Sequence, residues 1–167
     1  MHDGIIGYTH AIKTIEYLQK KNKNLFLISN SSKRKKSSEE KLPKLGFNKD
    51  SFVSILTSGE MIWKTIYNEY SRLEDKKKCF HIYNKNIEDG LTYRHGLNLL
   101  FVEKIEDADL ILACTPFDNM KPIDYIPILS KALENKIKMY CANPDFETVE
   151  KNSKQNVFCM GAISEIY

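Results

Sequence analysis

Short apolar runs alternate along this chain with segments of helical periodicity, and this alternation constrains the fold more than any single motif. Apolar runs bounded by polar residues predict strands, whereas apolar residues three and four positions apart predict helices. The predicted strands are residues 25–28, 52–56, 79–83, 99–102, 110–113 and 137–142. The predicted helices are residues 11–18, 37–45, 58–67, 87–91 and 125–136. Such an order needs crossover connections, so an α/β protein with a mostly parallel sheet is predicted.

Composition places the chain among soluble globular proteins. Its 167 residues fit one ordinary domain or two small ones, and 42% of them are hydrophobic and 28% charged. The apolar runs are too short to span a bilayer and no apolar leader opens the chain, which predicts a cytoplasmic protein without a membrane partner. The net charge is only +3, and the lysines form no basic stripe interleaved with aromatic residues, which argues against nucleic-acid binding.

The cysteines and histidines predict neither a metal site nor a catalytic thiol. The four cysteines, Cys79, Cys114, Cys141 and Cys159, form no CxxC pair, and no histidine has metal-finger spacing relative to them. Each cysteine lies in or beside an apolar run, which predicts buried thiols. His81 and His95 have no carboxylate or cysteine at ligand spacing and are interpreted as surface or satisfied core histidines.

The first predicted strand runs directly into a row of small polar and basic residues. Residues 25–28 are expected to be buried on both faces of the sheet. The residues that follow are Ser29, Asn30, Ser31, Ser32, Lys33 and Arg34. Ligands of open α/β sheets bind at the carboxyl ends of strands, so this placement predicts an oxyanion site. Two alternatives stay open: Ser29 and Asn30 end the strand and cap the next helix, and residues 33–36 are only a solvated helix start.

Four landmarks, in this order, resemble the haloacid dehalogenase superfamily, subfamily IIA, the p-nitrophenylphosphatase-like phosphatases. The landmarks are His2-Asp3-Gly4; Ser29-Asn30 after an apolar strand; Thr57-Ser58 after the next strand; and Asn143-Pro144-Asp145 with the later Gly161-Ala162-Ile163. Thr57 and Glu60 also have the spacing of a helix capping box. The resemblance covers nearly the whole chain. It implies a partial Rossmannoid core over residues 1–75, a polar linker around residues 71–78, and an inserted α/β cap of the C2 type over residues 76–167.

The resemblance also implies a chemistry and a set of site residues. Members hydrolyse small phosphate monoesters through an aspartyl-phosphate, with Mg²⁺ neutralising charge on the transferring group. By resemblance, Ser29 and Ser31 bind phosphate with Asn30 beside them, and Lys33 and Arg34 add positive charge. In the cap, Asn143, Asp145 and Phe146 are expected to face the substrate, a small phosphorylated metabolite whose identity the sequence does not specify.

Several family motifs are not found in this sequence. By the resemblance, the nucleophilic Asp is expected upstream of Met1, and Asp3 belongs to the turn after it. The family's Lys motif and acidic metal motif come later than Tyr167, and Lys121-Pro122 lies in the middle of the cap. Asp107 and Asp109 precede a strand rather than follow one, so they are rejected as the catalytic pair. No catalytic residue or metal ligand is therefore assigned in this chain, which is expected to be inactive alone.

Three interpretations of the chain's role follow. It is a piece of a phosphatase, from a split or decayed gene or cut from a longer one; a non-catalytic module that binds a phosphorylated metabolite; or a partner whose exposed sheet edge pairs with a complementary fragment. Homo-oligomerisation is a further possibility that the sequence leaves open.

Overall fold

The predicted alternation of strands and helices is present in the computed structural model, which describes residues 1–2, 5–86, 90–148 and 157–167. The described strands form a two-stranded parallel sheet, a four-stranded parallel sheet and a short antiparallel pair. The predicted α/β class is therefore confirmed. No helix of the described residues is long and apolar enough to cross a membrane.

The two-stranded sheet occupies the first part of the chain. Strand β1 (Phe26–Ser29) pairs in parallel with β2 (Ser54–Thr57), so that Ser29 lies opposite Thr57. Helices α1 (Thr9–Lys20) and α2 (Lys35–Lys44) supply side chains to one face of this sheet. The buried residues of this cluster are Leu42, Leu45, Phe47 and Ile55, with Ala11, Ile12, Ile15, Leu27 and Phe52 packed against them.

The opposite face of this sheet is open, which contradicts the prediction that residues 25–28 are buried on both faces. Phe26 is 64% exposed and Ile28 is 79% exposed. The physical reason is that α1 and α2 pack only against the face that carries Leu27 and Ile55. Among the described residues, β1 has a single neighbouring strand, so its second edge is open as well.

The four-stranded sheet has the order β4-β3-β5-β6, with all neighbours parallel. Its strands are β3 (Lys77–Ile82), β4 (Leu99–Val102), β5 (Leu110–Ala113) and β6 (Lys138–Cys141). The remaining elements are α3 (Ser58–Tyr70), α4 (Gly90–Arg94), α5 (Ile126–Glu134), β7 (Glu147–Thr148), β8 (Val157–Phe158) and α6 (Met160–Ile166). The strand β5 is buried along its whole length, as its uninterrupted apolar run predicts.

Both faces of the four-stranded sheet are covered. On one face, Ile66 of α3 is fully buried with Cys79, Leu112 and Tyr93. On the other face, α5 and α6 pack their apolar residues over Phe80, Ile82 and Ile111. Helix α3 therefore begins at the end of β2 and packs against the second sheet, so one helix joins the two sheets. The division into residues 1–75 and 76–167 stays a prediction, with α3 as the element that both parts share.

Local predictions differ from the structure mainly at element ends. The helix predicted over 37–45 begins at Lys35 and contains Pro43, and β3 begins at Lys77, inside the predicted linker. Of the helix predicted over 87–91, residues 87–89 lie outside the described residues, and the described part is α4. Residues 3 and 4 of the His-Asp-Gly landmark also lie outside them. The hairpin of β7 and β8 and the helix α6 were not predicted as elements.

The prediction of buried thiols is confirmed for three of the four cysteines, and the interpretation of His81 as a satisfied core histidine is confirmed as well. Cys79, Cys114 and Cys159 are buried, Cys141 is half-buried, and all four are free thiols. His81 is buried, with Cys114 Sγ 3.3 Å from its Nε2 and the Arg94 Nε donating to its Nδ1 at 3.1 Å. It is a satisfied core histidine.

Candidate functional site

The loop after β1 is built by serine turns. The Ser29 hydroxyl oxygen accepts the backbone N–H of Ser31 at 3.2 Å, and the Ser31 hydroxyl oxygen accepts that of Lys33 at 3.3 Å. Such turns are a common local use of serine hydroxyls. Each hydroxyl oxygen is occupied as an acceptor while its own hydrogen is a donor. The loop of residues 29–34, called the phosphate loop below, therefore holds two hydroxyl donors at the carboxyl end of β1.

The first turn of α3 and its N-cap residue hold the phosphate loop in place through hydrogen bonds. Gly59 donates its backbone N–H to the Ser31 carbonyl at 3.0 Å, and the Thr57 hydroxyl donates to the Lys33 carbonyl at 2.7 Å. A Cβ atom on Gly59 would lie 1.8 Å from the Ser32 carbonyl oxygen, so only glycine allows this close approach. The start of α3 and the phosphate loop are consequently one packed unit.

Arg34 is turned towards α3. Its guanidinium donates from Nε to Glu60 Oε2 at 2.7 Å and from a terminal nitrogen to Oε1 at 3.3 Å, and it lies 3.8 Å from the centre of the Trp63 ring. Lys35 donates its backbone N–H to the same carboxylate at 3.2 Å. Arg34 therefore lies at the back of the phosphate loop, bound to a side chain of α3, and its role in binding phosphate stays a prediction.

Burial and hydrogen bonding oppose each other at Glu60. Burial acts to raise the pKa of this carboxyl group, but the hydrogen bonds from Arg34 and Lys35 outweigh it, so the pKa is lowered. Glu60 is therefore ionised at neutral pH. The predicted capping box is half present, because Thr57 accepts the Glu60 backbone N–H at 3.0 Å while the Glu60 carboxylate binds Arg34 and Lys35 instead.

The turn that follows β6 meets the phosphate loop. The Asn30 side-chain amide donates to Asp145 Oδ1 at 2.8 Å. Asn143 Oδ1 accepts the Asp145 backbone N–H at 3.0 Å, which shapes the turn. Asn143 and Asp145, which the sequence predicts to face the substrate, thus lie beside the predicted phosphate-binding residues, at the carboxyl end of β1.

Helix α6 supports this turn from the other side. Gly161 donates its N–H to the Asp145 carbonyl at 3.0 Å, and a Cβ atom there would lie 2.3 Å from the Pro144 carbonyl oxygen. Phe146 accepts the Cys159 N–H at 2.9 Å through its carbonyl, and its side chain is 55% exposed. Burial, and then the Asp145 charge, raises the pKa of the Cys159 thiol, which argues against a nucleophilic cysteine at this site.

A groove of about 240 Å³ lies next to β1, and Ser29 is among its lining residues. It is lined by Met1, His2, Leu27, Ile28, Ser29, Ser38, Lys41, Leu42 and Leu45. The groove is therefore bounded by the start of the chain, by β1 and by α2.

The described side chains near the phosphate loop do not form a set of ligands that would suit a magnesium ion. Within residues 1–2, 5–86, 90–148 and 157–167, no three histidine, cysteine or carboxylate side chains are grouped so that they could hold a metal. Mg²⁺ prefers several oxygen ligands, usually carboxylates and waters. Two described carboxylates contact the phosphate loop, and both are already bound: Asp145 to the Asn30 amide, and Glu60 to Arg34 and the Lys35 N–H. Magnesium is therefore not assigned to these described residues.

Some contacts of the site have little or no signal in the amino-acid sequence. The spacing of Thr57 and Glu60 predicts a helix cap. The same signal places Glu60 at the start of α3, and so it could have indicated that Glu60 contacts the phosphate loop. The contact of Asn30 with Asp145 joins residues 115 positions apart, and no local pattern indicates it. The role of Gly59 has no local signal either, because glycine is common at helix starts for other reasons.

The chain matches one family and several solved structures. The model of the haloacid dehalogenase-like hydrolases matches residues 2–95. A haloacid dehalogenase-like hydrolase from Brucella suis 1330 is 23% identical, with a TM-score of 0.83 over 99% of this chain and 58% of that one. A double mutant of the thermostable NPPase from Geobacillus stearothermophilus is 16% identical, with a TM-score of 0.66 over 99% and 62%. Comparison with curated proteins finds no match.

A third solved structure contains a metal. It is a glycerol phosphate phosphatase from Mycobacterium tuberculosis in complex with magnesium, 13% identical, with a TM-score of 0.65 over 99% of this chain and 47% of that one. At these identities the solved structures establish the fold. The chain spans about half to three fifths of the length of these relatives.

Proposed function

Because the chain belongs to the haloacid dehalogenase-like hydrolase family, we propose that it is the phosphate-loop and cap part of a phosphatase acting on a small phosphate monoester. The observation that carries this proposal is the contact of Asn30 with Asp145. It brings the turn of the predicted cap onto the polar end of β1, where an α/β sheet binds its ligand. The fold shared with p-nitrophenylphosphatase-like structures supports the same assignment.

The phosphate loop supplies hydrogen-bond donors suited to phosphoryl oxygens. The Ser29 and Ser31 hydroxyl oxygens each accept a backbone N–H group, and each hydroxyl also carries a hydrogen that can be donated to a phosphoryl oxygen. Lys33 adds a positive charge close to them in sequence. Donors that are fixed before the ligand arrives stabilise a phosphoryl dianion without reorganisation. Asp145 would hold the Asn30 amide in place and so would set the distance between the cap turn and the bound phosphate.

The chemical step requires groups beyond those described. The nucleophilic carboxylate and the magnesium ligands of the family are proposed to come from polypeptide outside residues 1–167. On this proposal the chain alone binds a phosphate monoester and does not hydrolyse it. The four free thiols are consistent with the proposal of a reducing, cytoplasmic setting.

A non-catalytic phosphate-binding module is the second candidate. The observation that favours it is that the donors of the phosphate loop are held by bonds within the described residues, through Gly59, Thr57 and Asp145. Binding therefore does not depend on a catalytic residue. The two candidates share the bound group and differ in whether further polypeptide restores turnover.

The experiment measures binding and turnover on the same purified chain. Inorganic phosphate at about ten times its dissociation constant is expected to stabilise the chain by about 1.4 kcal/mol, which raises Tm by about 3 to 6 °C. Ser29→Ala should remove most of this shift, whereas Ser130→Ala, a matched change at an exposed serine of α5, should not. Hydrolysis of p-nitrophenyl phosphate, with or without Mg²⁺, is expected to equal that of the Ser29→Ala chain. An equal phosphate-dependent rise in Tm in the Ser29→Ala and Ser130→Ala chains would reject Ser29 as part of the phosphate site. Hydrolysis of p-nitrophenyl phosphate by the chain alone would reject the proposal that its catalytic groups lie elsewhere.

A further inference from the structure

A second groove, of about 500 Å³, lies where the phosphate loop ends and α2 begins, and it is called the rear groove below. Part of its lining comes from the start of α2 and of α3, namely Arg34, Lys35, Lys36 and Glu60. The rest comes from α4 and the residue after it, namely Leu91, Thr92 and His95. Ser29 and Ser31, the hydroxyl donors of the phosphate loop, are not among these described lining residues, so the rear groove is a separate site. Its volume is typical of a site for a small molecule.

Contacts with α3 hold the two parts of this lining in place. On the α2 part, the Arg34 guanidinium is bound to Glu60 and lies 3.8 Å from the centre of the Trp63 ring. On the α4 part, the Trp63 indole N–H donates to the His95 carbonyl at 3.3 Å, and the Tyr93 hydroxyl donates to a carbonyl in the first turn of α3 at 2.7 Å. The rear groove is therefore formed before any ligand arrives, which lowers the cost of binding.

The side chains of the rear groove carry more positive than negative charge. With histidine counted as neutral, three cations, Arg34, Lys35 and Lys36, line it together with one carboxylate, Glu60. Glu60 already binds the Arg34 guanidinium and the Lys35 N–H, so attraction for an anion comes from the two lysine side chains. Lys36 lies 4.0 Å from Glu40, but both groups are largely exposed and water screens them. Two separate ammonium groups suit a ligand with two carboxylates.

The α4 part of the lining adds an apolar contact. The Leu91 side chain is 73% exposed although it is large and apolar. It lies in the same groove as Lys35 and Lys36. Small-molecule sites combine apolar lining with a few charged groups that fix the orientation of the ligand. An apolar substituent on the ligand would therefore cover Leu91 while its carboxylates bind the lysines.

We propose that the rear groove binds a small organic dicarboxylate with an apolar substituent. The two carboxylates bind at Lys35 and Lys36, and the substituent packs on Leu91. The ligand connects α2, which packs on the first sheet, with α4, which packs on the second. The inference goes beyond the proposed function, because it concerns a second ligand, bound by residues that are not proposed to bind phosphate.

Titration with benzylmalonate tests whether the site exists. This probe carries two carboxylates on one carbon and a phenyl ring. Calorimetry on the full chain should show saturable binding of one ligand per chain. Trp63 is the only tryptophan of the sequence and contacts Arg34 and His95, so its fluorescence should change with the same midpoint. Absence of saturable binding, or binding that leaves the Trp63 fluorescence unchanged, would overturn the proposal.

Two double variants that remove the same charge locate the carboxylates. Lys35→Gln with Lys36→Gln should weaken benzylmalonate binding at least about fivefold, because two ion pairs are lost. Lys13→Gln with Lys20→Gln, at exposed lysines of α1, lowers the net charge equally and should leave the affinity nearly unchanged. Equal weakening in the two double variants would overturn the proposal, since the attraction would then be a property of the net charge.

A second pair of variants tests the apolar contact. Leu91→Ser should weaken benzylmalonate binding by about three- to tenfold and should not change the affinity for methylmalonate, which lacks the ring. Leu133→Ser, at an exposed leucine of α5, is the matched control and should change neither affinity. Equal binding of methylmalonate and benzylmalonate to the parent chain would overturn the apolar part of the site.

The variant Ser29→Ala separates the rear groove from the phosphate loop. It should remove most of the phosphate-dependent rise in Tm and leave the affinity for benzylmalonate unchanged. Loss of benzylmalonate binding in this variant would overturn the proposal, because the probe would then occupy the phosphate loop. Phosphate binding and benzylmalonate binding are measured separately, so the proposed function and this inference can fail separately.

Discussion

The side-chain amide of Asn30 donates a hydrogen bond of 2.8 Å to the carboxylate of Asp145, and these two residues are 115 positions apart in the chain. Asn30 follows β1 in the first sheet, and Asp145 follows β6 of the second sheet. The contact joins the phosphate loop to the turn of the predicted cap with a carboxylate as acceptor, which makes it stronger than a bond between neutral groups. Together with α3, it fixes the position of one sheet relative to the other.

Exchange of the two side chains tests this contact. Asp145→Asn should lower the free energy of unfolding by about 1 kcal/mol, because the hydrogen bond from Asn30 loses its charged acceptor. Asn30→Asp should lower it further, because two carboxylates then face each other. The double variant Asn30→Asp with Asp145→Asn should recover most of the loss, as measured by urea unfolding in a double-mutant cycle. Additive effects would show that the two residues do not interact in solution.

Removal of Arg34 tests the anchor behind the phosphate loop. Arg34→Met should lower the free energy of unfolding by about 2 kcal/mol, because the Glu60 carboxylate, only 5% exposed, loses its fork of two hydrogen bonds. Arg34→Lys should recover only part, since lysine keeps the charge but neither the fork nor the planar stacking on Trp63. Chemical denaturation measures both variants. Equal stability of the Arg34→Lys and Arg34→Met chains would indicate that the charge at this position contributes nothing.

The ion pair of Arg34 and Glu60 predicts that the stability of the fold decreases at acidic pH. The pKa of Glu60 is lowered from 4.5 in the folded chain, so the unfolded chain takes up a proton at a higher pH than the folded one. The stabilisation is therefore complete above about pH 4.5 and is lost as the pH falls through the lowered pKa. Glu60→Gln should remove this component of the acid response, measured as Tm between pH 6 and pH 3. Glu40→Gln, at an exposed glutamate of α2, is the matched control and should keep it.

The sequence predicted the elements well because their signals are local. The run 110–113 forms a strand that is buried along its whole length. The landmarks are placed as expected, with Ser29 at the end of β1 and Asn143 just after β6. What covers a strand is not a local property. The run 25–28 looks like a buried strand, yet Phe26 and Ile28 are exposed because helices pack on one face only. Arg34 is the last residue of the phosphate loop, but Glu60, 26 residues later, determines where its guanidinium lies.

Substitution of Gly59 tests the close contact between α3 and the phosphate loop. Gly59→Ala would place a Cβ atom 1.8 Å from the Ser32 carbonyl oxygen, a backbone atom that cannot move without the loop. The loss of stability should be about 1 to 3 kcal/mol, as for overpacking in a rigid core. The phosphate-dependent rise in Tm should also disappear, because the loop carries Ser29 and Ser31. Gly161→Ala, where the clash is with the Pro144 carbonyl, should cost similar stability but leave a larger part of the phosphate response.

The buried His81 ring predicts a second pH-dependent contribution to stability, which begins at a higher pH than the contribution of Glu60. Burial, and then the neighbouring Arg94 charge, lowers the pKa of His81 to about 3 from 6.5. The folded chain therefore holds this ring neutral, with Arg94 donating to Nδ1 and the Nε2 hydrogen directed at Cys114. Since the unfolded chain binds a proton below pH 6.5 and the folded chain does not, stability should fall as the pH drops from about 6.5 towards 3.

The variant His81→Gln isolates this effect. Glutamine keeps an acceptor for Arg94 and a donor for Cys114 but does not titrate. The free energy of unfolding should therefore decrease less between pH 7 and pH 5 than it does in the parent chain. One buried histidine with this shift contributes about 2 kcal/mol over that interval. Urea unfolding at each pH gives the slope, and His10→Gln, at an exposed histidine of α1, is the matched control. An identical slope in the His81→Gln chain would show that His81 titrates alike in the folded and unfolded chains, and its burial between Arg94 and Cys114 would then not persist in solution.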